Sequence, residues 1–340
     1  MIRRFLKLSL VFMLAGLLGA SCQKKDESPY VVVYTAHDQI YSEPVFQKFT
    51  KETGIEVRAV YDTEAVKTAG LVSRLIAEAD APRCDVFWNN EIARTIILKR
   101  KGLLQPYISP QSEQIPPVFR DPEGFWTGFA GRGRVLIYNT DLVKDPDTIP
   151  KSLWALTRPE WRGKAAIAKP LFGTTATHAA HLFHKWGDEE SRRYFKALKE
   201  NEVLIAAGNA TVRDMVARGR LPLGLTDTDD VNGALEDGLP VGIIYPDSDT
   251  DKTLVIPNTL CLMKGAPRPE QGRKLMDYLL TRETEEYLNR ERAAQIPLRR
   301  DAVSQNRVPA LRDLPVEDTD WEKVADEMES TAAFIQNEFL

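Results

Sequence analysis

From Tyr30 onward, short apolar runs alternate with helix-period segments along nearly the whole of this 340-residue chain, and no feature constrains its fold more. The runs "VVVY", "IEVRAV", "CDVFW", "RVLIYNT", "KAAIA", "EVLIAA", "LPLGL", "VGIIY" and "TLVIPNTLCLM" have the length and apolar character of strands. Between them lie helical patterns. In "EPVFQKFTKETG", Val45, Phe46 and Phe49 share one face, Pro44 suits the first turn and Gly54 is placed to stop the helix. Ala65, Ala69, Val72 and Ile76 recur at helical spacing. "GTTATHAAHLFHKWG" predicts a helix closed by Gly187; "ATVRDMVARG" and "PEQGRKLMDYLLTRETEEYL" predict two more. From Asp318 an amphipathic helix is expected, anchored by Trp321, Val324, Met328 and Phe334. Packing on the body should stabilise it, since a lone helix of that length is marginal in water. Strand–helix alternation of this kind predicts an α/β fold with mostly parallel sheets.

Five polar clusters fall next to strand ends, where an α/β sheet presents its ligand crevice. They are "TAHDQ", "NNE", "GRGR", "FGTTATH" and "TDTDD". One such cluster is an ordinary loop. Five together predict a crevice lined by both halves of the chain.

The first residues are of another kind. Arg3, Arg4 and Lys7 precede the apolar "LSLVFMLAGLLGA", which is short for a membrane span. Gly19, Ala20 and Ser21 then precede Cys22, as in a bacterial lipoprotein signal, although Gly19 stands where such signals usually carry Leu. The expectation is a leader over 1–21, lipidation of Cys22 and a tether over 22–29; an ordinary cleaved signal peptide is the alternative. Removing 1–21 takes away three basic and no acidic side chains, moving the formal charge from −4 to −7. That balance favours neither nucleic acid nor anionic lipid as a partner. Cys84 and Cys261 lie in apolar runs and are expected to be buried thiols; no spacing suggests zinc.

Several clusters suggest chemistry. Gly173, Thr174 and Thr175 open a helix, where free N–H groups and two hydroxyls suit an oxyanion. Simple N-capping by either threonine is the alternative. At most one of Arg132 and Arg134 is expected to point into a crevice. His178, His181 and His184 drift round their helix and are expected on its surface. Asp227, Asp229 and Asp230 crowd one turn, which requires a cation, an ammonium group or backbone donors to offset their repulsion. A helix N-cap at Asp229 or Asp230 would also explain them. No GxSxG or P-loop lysine motif asks for an enzyme.

Read together, "VVVYTAHDQIYSEPVFQKFTKETGIEVRAVYDTEA", "CDVFWNNE", "GRGRVLIYNT", "LFGTTATH", "NATVRDMVARGRLPLGLTDTDD" and "IPNTLCLMKGAPRPEQGRKLMDYLL" resemble the ABC-transporter solute-binding proteins of the ferric-iron-binding group. The resemblance runs from about residue 30 to 298 in order and spacing. It implies a hinged, two-lobed type II periplasmic binding protein, lobe 1 comprising 30–126 and 254–340 and lobe 2 comprising 127–253. The hinge crossings would lie near 126–128 and 253–257. The protein would act as a monomer in the cell envelope, anchored through Cys22, delivering its ligand to an ABC permease and ATPase. The anion side of the site would comprise Gly173, Thr174, Thr175 and Asn209, with Arg132 and Arg134 nearby. The metal or cationic side would comprise His37 or Asp38, Asn90 or Glu91, and Asp227, Asp229 and Asp230.

One departure matters. Where iron-binding members carry adjacent tyrosines, this chain has Asp229 and Asp230, and it contains no Tyr-Tyr pair. The resemblance implies iron(III), or another metal, as cargo with carbonate or phosphate, and no catalytic cofactor. The alternative is a phosphorylated or zwitterionic molecule such as aminoethylphosphonate, a sugar phosphate, or thiamine or its phosphates. A periplasmic sensor module is the reading from another class.

Overall fold

The computed structural model describes residues 28–62, 68–246 and 252–340; the expected leader, Cys22 and most of the tether lie outside them. β1 (Tyr30–Thr35) pairs in parallel with β2 (Glu56–Tyr61) on one side and β3 (Val86–Asn89) on the other. Between β1 and β2 runs α1 (Gln39–Thr53), which buries Val45, Phe46 and Phe49 and ends at Gly54 in the left-handed conformation. It starts earlier than its proline suggested, at the exposed stretch Gln39–Ile40. Pro44 therefore lies in the second turn, and Asp38 becomes the residue before the helix. α2 (Ala69–Ala77) buries Leu71, Val72 and Leu75 and exposes Ile76, so its apolar stripe is rotated from the expected one. Ala65 lies outside the described residues.

After α3 (Ala93–Arg100) and the short β4 (Leu104–Gln105) comes β5 (Thr127–Asn139), far longer than the expected "RVLIYNT". Gly128, Gly131 and Gly133 argue against a strand by propensity, but packing needs two of them bare. A Cβ at Gly128 would lie 2.9 Å from the Phe119 carbonyl oxygen, and one at Gly131 would lie 2.8 Å from a Val255 methyl.

The middle of the chain supplies β6 (Ala165–Ala168), α4 (Gly173–Glu200), β7 (Leu204–Ala206), α5 (Asn209–Ala217), β8 (Leu223–Asp227), α6 (Thr228–Glu236) and β9 (Val241–Ile244). Gly187, at φ 81°, breaks the helix as expected, but the chain resumes helical form to Glu200. β10 (Val255–Met263) returns to the first half, followed by α7 (Pro269–Leu279), α8 (Arg282–Arg290) and α9 (Trp321–Phe334). No helix among the described residues is long and apolar enough to cross a membrane.

The strands run in the order β2-β1-β3-β10-β5-β8-β6-β7, with β4 on β10 and β9 on β5. The flanks are parallel; the strands that join the lobes, β5 and β10, pair antiparallel. β5 belongs to both lobes. Its residues 127–133 pair with β10, and 134–138 pair with β8. The first lobe's core gathers Val31, Phe49, Trp88, Ile96 and Leu262, while the second is built around Leu136, Ile167, Phe183 and Leu225. α9 spans the two: Trp321, Val324 and Met328 enter the first core and Phe334 the second.

Cys84 and Cys261 are buried thiols, and burial pushes both above the ordinary thiol range. His178 and His181, expected on a helix surface, are buried because that face of α4 packs against β5 and the segment before α9. His184 is half-buried.

Candidate functional site: an interlobe cleft

A cleft opens where the strand ends of the two lobes meet. One wall is built from two helix starts. α4 begins at Gly173 and α5 at Asn209, and neither has a side chain capping it. Gly173, Thr174, Gly208, Asn209 and Ala210 line the cleft, so unsatisfied N–H groups and the positive dipole ends of both helices face it. Lys169, which follows β6, adds an ammonium group, with its Nζ 5.9 Å from the centroid of the neighbouring Phe172 ring.

The other wall is acidic. Asp38 precedes α1, and Asp229 and Asp230 occupy the first turn of α6. Asp227, at the cap position of α6, bonds elsewhere. It accepts from Arg134 Nη1 at 2.6 Å, the Thr174 hydroxyl at 2.6 Å and Asn209 Nδ2 at 2.9 Å. Asp229 Oδ2 accepts from Arg132 Nε at 3.0 Å and Gln295 Nε2 at 3.2 Å, and Asp230 accepts from the Thr226 hydroxyl at 2.8 Å. One oxygen from each of Asp227, Asp229 and Asp230 lies within 4.8 Å of the others.

Burial, and then the charges of Asp229 and Asp227, push the Asp230 carboxyl well above the usual range, against the pull of Arg213. Burial disfavours the charge of Arg132, but Asp229, Asp227, Asp38 and Asp230 outweigh it and hold the guanidinium charged. The Tyr41 phenol is pushed up to about 12 by burial and by Asp229, Asp38 and Asp230. Together these groups form a concave site with an electropositive and an electronegative end.

The sequence model of the bacterial extracellular solute-binding proteins matches residues 45–311. The chain belongs to this family. It is 25% identical over 328 residues to iron uptake protein A1 of Synechocystis sp., covering 89% of each chain. It is 27% identical over 312 residues to a putative 2-aminoethylphosphonate-binding periplasmic protein of Salmonella typhi, covering 88% of this chain and 87% of that one. Iron-bound HitA from Pseudomonas aeruginosa superposes with a TM-score of 0.81 at 21% identity, covering 90% of this chain and 99% of that one. The two-lobed fold is that of the periplasmic binding proteins.

Within this solute-binding protein most of the expected site residues converge. Asp38, Asn90, Arg132, Gly173, Thr174, Asn209, Asp227, Asp229 and Asp230 all line the cleft. Neither threonine caps α4, because the chain enters that helix at Phe172. Thr175 instead bonds Asn209 at 3.1 Å. His37 stacks on Trp88, ring centroids 5.0 Å apart, and its Nδ1 meets Arg132 Nη2 at 2.9 Å. It supports the site from outside the lining. Glu91 is fully buried, accepting from the Arg94 backbone N–H and the Thr177 hydroxyl, and does not line the cleft.

Of the two arginines, Arg132 lines the cleft and Arg134 does not, in keeping with the expectation that at most one points into it. Side chains two apart on a strand nevertheless share a face, and both guanidiniums reach the acidic cluster, Arg132 at Asp229 and Arg134 at Asp227. Lys169, Phe172, Tyr41 and Gln295 were not anticipated. Lys169 had a signal, a cation directly after a buried strand; Gln295 lies in an irregular segment and had none.

Proposed function

We propose that this extracellular solute-binding protein carries a small organic ligand with an oxyanion at one end and an ammonium or hydroxyl-bearing group at the other. The phosphonate or phosphate would sit on the starts of α4 and α5 with Lys169. The cationic end would lie against Asp38, Asp229 and Asp230. One observation carries this reading: two uncapped helix starts and a lysine face a carboxylate wall across a single cleft. An aminoalkylphosphonate fits that polarity, and the Salmonella relative is named for such a ligand.

Iron(III) with carbonate or phosphate is the second reading, favoured by the three carboxylates within 4.8 Å and by the iron-uptake relative. Two of those carboxylates are already paired with Arg132 and Arg134, and the chain has no adjacent tyrosines to supply phenolates. Carboxylates alone are a less selective donor set for a ferric ion.

Ligand capture would close the lobes about β5 and β10, which cross between them, by stabilising the closed population. An ABC permease and ATPase would receive the cargo, with Cys22 lipidation holding the carrier at the cell envelope. The test is thermal denaturation of chelator-treated protein. Ferric salts are added with and without carbonate or phosphate, beside aminoethylphosphonate, hexose phosphates and thiamine phosphates. A ligand at 100 times its Kd adds about 2.7 kcal/mol. Stabilisation by a phosphorylated or phosphonate zwitterion supports the first reading; stabilisation only by ferric ion with an anion establishes the second.

A further inference from the structure

Arg134 stands between the cleft and a second, smaller cavity. One side of its guanidinium serves the cleft wall, where Nη1 donates to Asp227. The same side chain lines the second cavity with His178, His181, Lys185, Lys252 and Glu317, against an apolar wall that includes Leu182 and Leu254. Cations predominate among the described residues of that lining.

Hydrogen bonding there is incomplete. Arg134 is about 1% exposed; its Nε donates to His178 Nδ1 at 3.2 Å, yet its Nη2 has no partner among the described residues. His178 can accept only as the neutral ring, and burial together with Arg134 keeps its pKa well below the ordinary value. Glu317 accepts from His181 Nε2 at 3.2 Å and Lys185 Nζ at 2.9 Å, so its two oxygens are each engaged by a different partner. His181 Nδ1, also buried, is likewise without a partner among the described residues. Lys252 adds a positive charge from an exposed position at the mouth. A buried N–H of a charged guanidinium is costly to leave unpaired.

We propose that this cavity is a second binding site, distinct from the cargo cleft, for a small monovalent anion of halide or formate size. Arg134 Nη2 donates to it, Lys252 guards the entrance, and the His181 ring lies beside it. Glu317 on the same lining disfavours a second negative charge. Because the guanidinium that holds this anion also holds Asp227, the two sites are coupled through one side chain, and each occupant must alter the other's affinity by the same factor.

Crystals of the protein soaked in bromide, with diffraction collected at the bromine edge, locate the site directly. Calorimetric titration with sodium formate and with sodium bromide, in a large sulfonate buffer, measures it and distinguishes the two anions. The expected result is an anomalous peak within hydrogen-bonding distance of Arg134 Nη2 and saturable binding of at least one anion. Lys252→Met and, separately, His181→Asn should weaken that binding about tenfold. Absence of a peak in this cavity, binding that does not saturate, or affinity unchanged in both variants would overturn the proposal.

Discussion

Thr174 shows how much one side chain does in this cleft. Its hydroxyl donates to Asp227, and its backbone lies in the uncapped first turn of α4. Replacing it by valine removes a donor and leaves Asp227 less well satisfied. Thr174→Val and Lys169→Gln should each weaken an oxyanion-bearing ligand by about 10- to 100-fold, on the order of 1.4–2.8 kcal/mol. Calorimetry checks this, and unchanged affinity in both variants would remove the anion from this wall. Asp230 makes a different prediction. Its native pKa is raised above the unfolded value, so the folded state keeps this proton longer. As pH rises from about 4, the unfolded chain ionises first and stability is lost until native Asp230 ionises too. Asp230→Asn should therefore make the ligand-free protein more stable near neutral pH and flatten that slope in chemical denaturation. A uniform loss of stability at every pH would show instead that Asp230 is a needed partner of Thr226 and Arg213.

Element by element, the sequence was most legible where local chemistry and tertiary need agree. Gly173-Thr174-Thr175 after "KAAIAKP" marks a helix start after a strand whatever packs around it. Trp321, Val324 and Met328 fall at helical spacing, and all three are buried, as is Phe334. β5 was read only in part, because three glycines mask a strand whose neighbours require two of them. Nor does spacing reveal that Glu91 would turn away from the cleft to hold the start of α3. Glu285 shows the same blindness: nothing local marks it. From α8 its buried carboxylate accepts backbone N–H groups of Ala130 at 2.7 Å, Leu298 at 3.2 Å and Arg299 at 2.9 Å. It thereby fixes β5 at Ala130, whose φ of 45° is unusual for a residue with a Cβ. Glu285→Ala leaves these donors unpaired and should cost about 3 kcal/mol or more. Urea denaturation measures it; a loss below about 1 kcal/mol would mean that water replaces the carboxylate.

At the scale of the whole molecule, polar contacts around the cleft join the two lobes. Thr177 of α4 donates to Glu91 at 2.7 Å, and Arg94 Nη2 donates to the Leu171 carbonyl at 2.9 Å. These contacts link first-lobe and second-lobe elements. Removing them with Thr177→Val and Arg94→Ala should shift the ligand-free protein toward an open form and raise its radius of gyration in small-angle scattering. A saturating ligand should restore compaction; an unchanged radius would show that other contacts set the closed state. The two ends of the cleft should act together on one ligand. Calorimetric titration of metal-stripped protein with 2-aminoethylphosphonate, methylphosphonate and ethylamine, and with ferric ion plus carbonate, measures this. The two-ended molecule should bind at least about 100-fold more tightly than either fragment, each end contributing on the order of 2.8 kcal/mol or more. Tight ferric binding with no measurable affinity for the zwitterion would rule out a two-ended organic ligand and make the aspartates metal ligands.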